Sequence, residues 1–151
     1  LTFDGFCSDV IAFYERVFQI KAAEIVKYSD SPCRDNIPAA GANKIYSAVI
    51  PFRHGNDTCI LKLRDSVESA MDGINRYDPN ALLFYQGQYN PVFTLRDGDT
   101  AYLSEAFQRL TEGAKLNRPM TPDNTGALYG SLIDKYGICW NLYAAAEGVL
   151  L

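Results

Sequence analysis

The side chains best placed to do chemistry lie together on one face of a predicted strand, at residues 138–143. Segment 126–143 alternates with a period of two on both sides of a turn at residues 134–137, which predicts two paired strands. In the second strand, Cys139, Asn141 and Tyr143 share one face, and Tyr129 lies in the first strand. Thiol, amide and phenol groups can orient a polar ligand by hydrogen bonds, so we predict that this face lines a ligand cup. The opposite face is apolar and predicts a covering helix; it carries Ile138, Trp140 and Leu142.

Two carboxylates near predicted strands are candidates for a general base. Glu24 lies in the second strand and Asp97 follows the fifth. Because isolated carboxylates are rarely buried, we predict that both are exposed. The chain has one histidine, His54, in a turn at residues 53–57, where we expect a solvated side chain. One imidazole supports neither a Ser-His-acid triad nor a facial metal triad.

The cysteines are scattered and form no C-x-x-C pair, which argues against a zinc knuckle and a thioredoxin-type motif. We expect reduced thiols at all four positions, Cys7, Cys33, Cys59 and Cys139. Cys33 differs from the others because it lies in a polar loop beside Arg34, which could lower its pKa. Either Cys33 is a reactive thiol, or its position beside Arg34 is accidental.

The elements that must position these residues occur twice, in the same order. The first half predicts a strand at 1–4, a helix that begins around Ser8 or Asp9, is capped by either of them and extends to about residue 19, and strands at 22–28, 44–52 and 58–64. The second half predicts a strand at 91–96, a helix capped by Asp99 or Thr100 and ended near Gly113, a strand at 115–120, and the two strands described above.

This repetition predicts an α+β fold of paired βαβββ modules, which form a cupped mixed sheet with helices on the outer face. We expect one domain made of modules 1–64 and 90–151, joined by residues 65–89. Within the joining segment, residues 66–74 predict a short helix. The apolar run at 82–85 is expected to pack on this chain or on a second subunit.

Composition excludes several partners. A chain of 151 residues should bury roughly 68–70% of its unfolded surface, enough for one core. With 14 basic and 18 acidic residues the net charge is −4, which opposes binding of nucleic acid. No apolar run approaches the roughly 18 residues of a membrane span, so we expect no membrane partner and a cytoplasmic location. Leu1 lies inside a predicted strand, so we expect a few residues upstream.

The chain resembles the vicinal oxygen chelate superfamily, and within it the PhnB-like group of glyoxalase and bleomycin-resistance relatives. The resemblance spans nearly the whole chain and rests on several short motifs in a fixed order. They are Phe3 with Gly5 at a strand end, Phe13-Tyr14 and Phe18 in the first helix, Lys44-Ile45 opening a strand, Asp65, Leu110 to Gly113, and Asp134, Gly137 and Trp140.

The resemblance implies a homodimer with a divalent metal held by His and Glu in the cup. It also implies which positions would hold the metal. These are Ser47, Asn90 and Asn141, with a further position before Leu1. Neutral Ser and Asn do not offset a dication, so we expect no cofactor, with a divalent metal as the alternative.

Two classes of function follow, and both use the same predicted cleft. Its residues are Ser47, Asn90, Cys139, Asn141, Tyr129 and Tyr143. In the first class the protein binds a small molecule in the cleft of a dimer, without a metal. In the second it is a metal-dependent lyase, isomerase or dioxygenase whose ligands include upstream residues or residues of the other subunit. An interaction module whose cleft is filled by its own side chains is a third possibility.

Overall fold

The computed structural model describes residues 1–80 and 91–145, with the backbone alone at 116 and 117. Within these residues the chain divides into two compact units. Unit 1 comprises Leu1–Phe52 and Cys59–Tyr77, and unit 2 comprises Arg53–Thr58 and Asp78–Leu151. The apolar run at 82–85 lies outside the described residues. The prediction of a single domain stays a prediction.

Unit 1 contains the elements of the first predicted module, apart from the tip of one hairpin at Arg53–Thr58, which belongs to unit 2. Their bounds are β1 (Thr2–Phe3), α1 (Cys7–Phe18), β2 (Glu24–Lys27), β3 (Ile45–His54), β4 (Asp57–Asp65) and α2 (Val67–Asp72). The strands form a mixed sheet in the order β1-β4-β3-β2, with β1 parallel to β4. Helix α2 confirms the predicted short helix, and the Ser66 side chain caps it by accepting from the Ser69 N–H.

Helix α1 buries an aromatic stripe against the sheet of unit 1. Val10, Tyr14 and Phe18 are fully buried, and the Phe18 and Phe52 rings meet edge to face at 4.8 Å. Such a pair adds about 0.5–1.5 kcal/mol beyond the area that it buries. Helix α1 therefore packs on one face of the sheet, as the sequence predicts.

The predicted cap of α1 by Ser8 or Asp9 is wrong. The helix begins at Cys7, its first residues make no local side-chain cap, and the Cys7 N–H instead donates to the Asp65 carboxylate at 2.9 Å. The other Asp65 oxygen accepts from the Ile45 N–H at 2.8 Å. Burial raises the pKa of the Asp65 carboxyl, and the bonds from Ile45 and Cys7 oppose that rise. A residue 58 positions away thus fastens the helix start to β3 and β4.

Unit 2 repeats the order of elements. Their bounds are β5 (Val92–Asp97), α3 (Thr100–Leu110), β6 (Lys115–Pro122), β7 (Leu128–Ile133) and β8 (Cys139–Ala144). The sheet order is β5-β8-β7-β6, with β5 parallel to β8, as β1 is to β4. The described residues thus form two four-stranded mixed sheets and three α-helices, which confirms the predicted α+β fold of paired modules.

The predicted Asp99 cap of α3 is confirmed, because the Asp99 carboxylate accepts from the Tyr102 N–H at 2.9 Å. Below the helix, Leu132, Trp140 and Leu142 are buried, as the alternation predicts. A Cβ added at Gly130 would lie 2.7 Å from Cε2 of Phe107, so glycine is what allows α3 to approach β7 this closely. The other face of this sheet carries half-buried side chains, among them Tyr129, Asn141 and Tyr143.

Candidate functional site

The candidate site is the face of the unit 2 sheet that points away from α3, which we call the open face. Strand register defines its residues, because partners opposite one another share a side. They are Val92, Thr94 and Arg96 of β5; Cys139, Asn141 and Tyr143 of β8; Ile133, Ser131 and Tyr129 of β7; and Lys115, Arg118 and Thr121 of β6. Four of the six predicted cleft residues lie on this face.

Tyr129, Tyr143 and Asn141 form a connected group on the two central strands of the open face. The Tyr129 hydroxyl donates to Oδ1 of Asn141 at 3.2 Å, and the Tyr129 and Tyr143 ring centroids are 4.5 Å apart. All three residues are half-buried. The contacts hold the two rings and the amide in a defined arrangement, leaving the Asn141 NH₂ as a hydrogen-bond donor.

Two arginines border this group, and the sequence interpretation missed both. The Arg96 guanidinium lies 5.2 Å from the Tyr143 ring centroid, and that of Arg118 lies 4.7 Å from the Tyr129 centroid. The four predicted cleft residues on this face are neutral, so the two arginines add positive charge to it. A signal was present, because Arg96 alternates in phase with Thr94 and so belongs to the same face.

The remaining predicted cleft residues lie elsewhere. Ser47 is in β3 of unit 1, opposite Val26 in β2, and is half-buried. Asn90 lies outside the described residues. The structure therefore brings Cys139, Asn141, Tyr129 and Tyr143 onto one face, and leaves the grouping of all six as a prediction.

The residues at the expected metal positions do not fit a transition metal. Ser47 offers a neutral hydroxyl, and the Asn141 amide oxygen accepts a hydrogen bond from Tyr129. Zn²⁺, Ni²⁺ and Fe²⁺ favour imidazole, thiolate and carboxylate ligands. Within residues 1–80 and 91–145, no three His, Cys, Asp or Glu side chains converge as a set of metal ligands.

The two candidate general bases differ in environment. Glu24 is exposed, as predicted. The prediction that Asp97 is exposed is wrong: only 9% of its surface is accessible, and the Arg53 guanidinium donates to both of its oxygens, at 2.6 and 3.0 Å. A bidentate pair with arginine explains why this carboxylate is buried. Its acceptor atoms are occupied, which opposes a role as a base.

His54 also has a structural contact. Its Nδ1 accepts from the Arg96 backbone N–H at 3.3 Å, and the residue is half-buried. The expectation of a purely solvated turn side chain is therefore incomplete. The imidazole instead binds the backbone at the C-terminal end of β5.

The cysteines are free thiols, as predicted. Cys33 and Cys59 are exposed, Cys139 is half-buried on the open face, and Cys7 is buried at the start of α1. The Arg34 guanidinium forms an ion pair with the Asp35 carboxylate at 3.8 Å. Burial raises the pKa of the Cys7 thiol.

A surface depression of about 440 Å³ lies at the C-terminal end of α1 in unit 1. Its main charged group is already used, because the Glu15 carboxylate accepts from the Ala22 N–H at 2.8 Å and from the Lys21 ammonium at 3.2 Å. The open face of unit 2 combines aromatic, amide and cationic groups and is the better candidate site.

Comparison with solved structures shows which class of fold these units define. The chain matches protein PA1353 from Pseudomonas aeruginosa with a TM-score of 0.68 and 21% identity, over 97% of this chain and 95% of that one. It matches a putative 3-demethylubiquinone-9 3-methyltransferase, PhnB protein, from Bacillus cereus with a TM-score of 0.58 and 20% identity, over 96% and 95% of the two chains. It matches a glyoxalase-related enzyme from Fulvimarina pelagi with a TM-score of 0.51 and 13% identity, over 95% and 84%.

The fold is therefore that of the PhnB-like and glyoxalase-related proteins, as the sequence motifs implied. At these identities the likeness establishes the fold alone. No family model matches the chain, and no curated protein matches it. Among the described residues, none of the helices has the length and apolar character required to cross a membrane.

Proposed function

We propose that this chain is a small-molecule-binding protein of the PhnB-like glyoxalase fold, which acts as a homodimer, without a metal, in the cytoplasm. Its open face contributes the binding groups. The observation that carries the proposal is the Tyr129–Asn141 hydrogen bond beside the Tyr129–Tyr143 ring contact. Together they present aromatic surface and polar donors on one half-buried sheet face, the composition typical of ligand sites.

The open face has the character of a binding surface more than of a catalytic one. Its described groups supply hydroxyls, an amide, a thiol and cations, and its strand positions include no carboxylate or imidazole. Those groups bind and orient a ligand, whereas general acid–base catalysis needs a group that titrates near neutral pH. Free cysteines agree with a reducing cytoplasm.

Ligand screening tests the binding proposal. A thermal-shift screen of antibiotics, quinones and phosphonates should identify a compound that raises the melting temperature of the wild-type protein. Tyr143→Leu and Asn141→Ala should weaken its binding, and Tyr77→Leu, which changes a partly exposed tyrosine of unit 1, should not. Equal binding by all three variants would show that the open face is not the binding site.

The dimer is tested by mass in solution. We propose that the final strands and the 65–89 segment lie near the subunit boundary. The mass of one chain is 16.8 kDa. Sedimentation velocity at micromolar concentration should give twice that mass. A monomeric mass would contradict this part of the proposal.

The alternative, a metal-dependent lyase, isomerase or dioxygenase, is tested by elemental analysis. Protein purified without chelator should carry no stoichiometric transition metal, because the Ser47 hydroxyl and the Asn141 amide are poor ligands for such ions. One equivalent of zinc or nickel per chain would favour the enzyme instead.

A further inference from the structure

We propose that the ligand of the open face is a planar aromatic carboxylate, held by Arg96 and Arg118 over the Tyr129–Tyr143 pair. This inference rests on the proposed binding function and specifies its ligand class. The charges on the face are the first observation that supports it. Register places three cations there, Lys115, Arg96 and Arg118, and no carboxylate on any of the strand positions that share that side.

That distribution differs from the rest of the chain. The chain carries 18 acidic and 14 basic residues, for a net charge of −4. The strand positions of this face therefore carry positive charge in a protein whose net charge is negative. Clustered charge of one sign attracts ligands of the other sign and repels cations, including metal ions.

The arginines of the open face also lack the ion pairs that other arginines make. Arg53 pairs with Asp97, and Arg109 pairs with Glu105. In the described part of the chain, neither the Arg96 nor the Arg118 guanidinium forms an ion pair, and each lies against a tyrosine ring instead. A guanidinium that rests on a ring keeps its N–H donors in its own plane, where they can bind a carboxylate with two hydrogen bonds.

The tyrosines select the rest of the ligand. Their centroids are 4.5 Å apart with an angle of 34° between the planes, so the two rings stack on each other, and Arg96 and Arg118 each lie over one of them. A planar conjugated ligand can lie across the ring edges of this stack in edge-to-face contact, and the Asn141 NH₂ can donate to one of its polar atoms. A carboxylate on that ligand would then meet a guanidinium at an end of the stack.

Binding of four simple probes to the full chain tests the inference by calorimetry. Naphthalene carboxylate contains both the ring and the charge. Naphthalene carboxamide lacks the charge, cyclohexane carboxylate lacks the aromatic ring, and inorganic phosphate is an anion without a ring. We expect the naphthalene carboxylate to bind about tenfold more tightly than each of the others, because the carboxamide loses the charge-assisted hydrogen bonds and the other two probes lose the contact with the tyrosine rings.

Variants then locate the site. Arg96→Gln and Arg118→Gln should each weaken binding of naphthalene carboxylate by about tenfold and leave binding of the carboxamide unchanged. Arg34→Gln is the matched control, because that side chain is 63% exposed and belongs to unit 1. Its affinity should equal that of the wild type. Circular dichroism verifies that each variant is folded.

The outcomes separate this inference from the function on which it rests. If the carboxamide binds as tightly as the carboxylate, or both arginine variants keep their affinity, the ligand class is wrong and small-molecule binding stands. If phosphate binds as tightly as naphthalene carboxylate, the face is a general anion site, and the proposal that its ligand is aromatic is wrong. If no probe binds and the wider screen finds no ligand, both proposals fail.

Discussion

Arg53 and Asp97 are joined by two hydrogen bonds within unit 2, from Nε to Oδ2 at 2.6 Å and from Nη2 to Oδ1 at 3.0 Å. The Arg53 guanidinium also lies 4.3 Å from the centroid of the Tyr102 ring. The pair thus fastens the tip of the β3–β4 hairpin to the end of β5 and to the first turn of α3. The Asp97 carboxylate is nearly buried, so it depends on this partner.

The first prediction concerns this pair. Arg53→Met should lower the free energy of unfolding by roughly 1–2 kcal/mol, because the Asp97 carboxylate loses both charge-assisted bonds while the exposure of Arg53 limits the cost. Urea denaturation measures the change. Arg53→Lys keeps the charge but not the paired donors of the guanidinium. Its free energy of unfolding should therefore lie between those of the wild type and Arg53→Met. A double-mutant cycle with Asp97→Asn that gives no coupling energy would contradict the assignment.

The second prediction concerns pH. The Tyr102 N–H, and after it the Arg53 guanidinium, hold the pKa of Asp99 below its ordinary value of 3.8. A carboxylate whose pKa is depressed by folding adds stability above that ordinary value, and the contribution is lost as the pH falls through the folded-state pKa.

Asp99→Asn keeps an acceptor for the Tyr102 N–H and removes the titration. The melting temperature of this variant should therefore decline less steeply than that of the wild type as the pH falls below 3.8. Asp30→Asn changes an exposed carboxylate of unit 1, between β2 and β3, and serves as the control. Parallel curves for wild type and Asp99→Asn would show that this carboxylate adds nothing.

The third prediction concerns the β7–β8 turn. The buried Asp134 carboxylate accepts from the N–H groups of Tyr136 at 2.8 Å and Ile138 at 3.0 Å, and from Nε1 of Trp140 at 2.9 Å. Asp134→Ala removes an acceptor from three buried donors and should cost about 3 kcal/mol. Fluorescence of Trp140 reports the unfolding in urea. Asp134→Asn retains one acceptor oxygen and should cost less; an equal loss would mean that the turn does not depend on these bonds.

The fourth prediction concerns thiol reactivity. Cys33 and Cys59 are exposed and should react quickly with Ellman's reagent in the native protein, and the half-buried Cys139 more slowly. Cys7 is fully buried and its pKa is raised, so it should react only after unfolding. Cys7→Ala should leave the native reaction unchanged. Fast labelling of Cys7 in native protein would contradict the buried position of the α1 start.

A ligand of the open face should also protect Cys139. This thiol shares the face with Asn141, two positions along β8. A bound aromatic carboxylate should slow its labelling and leave Cys33 and Cys59 unaffected, because both are outside unit 2 strands β5–β8. Mass spectrometry of labelled peptides distinguishes the sites. Equal slowing of all three thiols would indicate a general effect on stability instead.

Local pattern in the sequence determined the elements of this protein, because strand alternation and helix spacing record which side chains face a core. Trp140 and Leu142 alternate with Asn141 and Tyr143, and that phase alone predicts the buried and open faces that the structure shows. The Asp99 cap and the doubled order of elements follow from equally local signals. The fold class and four of the residues on the open face were therefore predictable.

Tertiary structure decided what depends on contacts between distant residues. Asp65 caps α1 from 58 positions away, and Arg53 buries Asp97 from 44 positions away, so no local spacing could reveal either pair. The charge of the open face has the same origin. Arg96 and Arg118 meet Tyr143 and Tyr129 only after four strands are paired in one register, because pairing brings side chains of separate strands within contact distance.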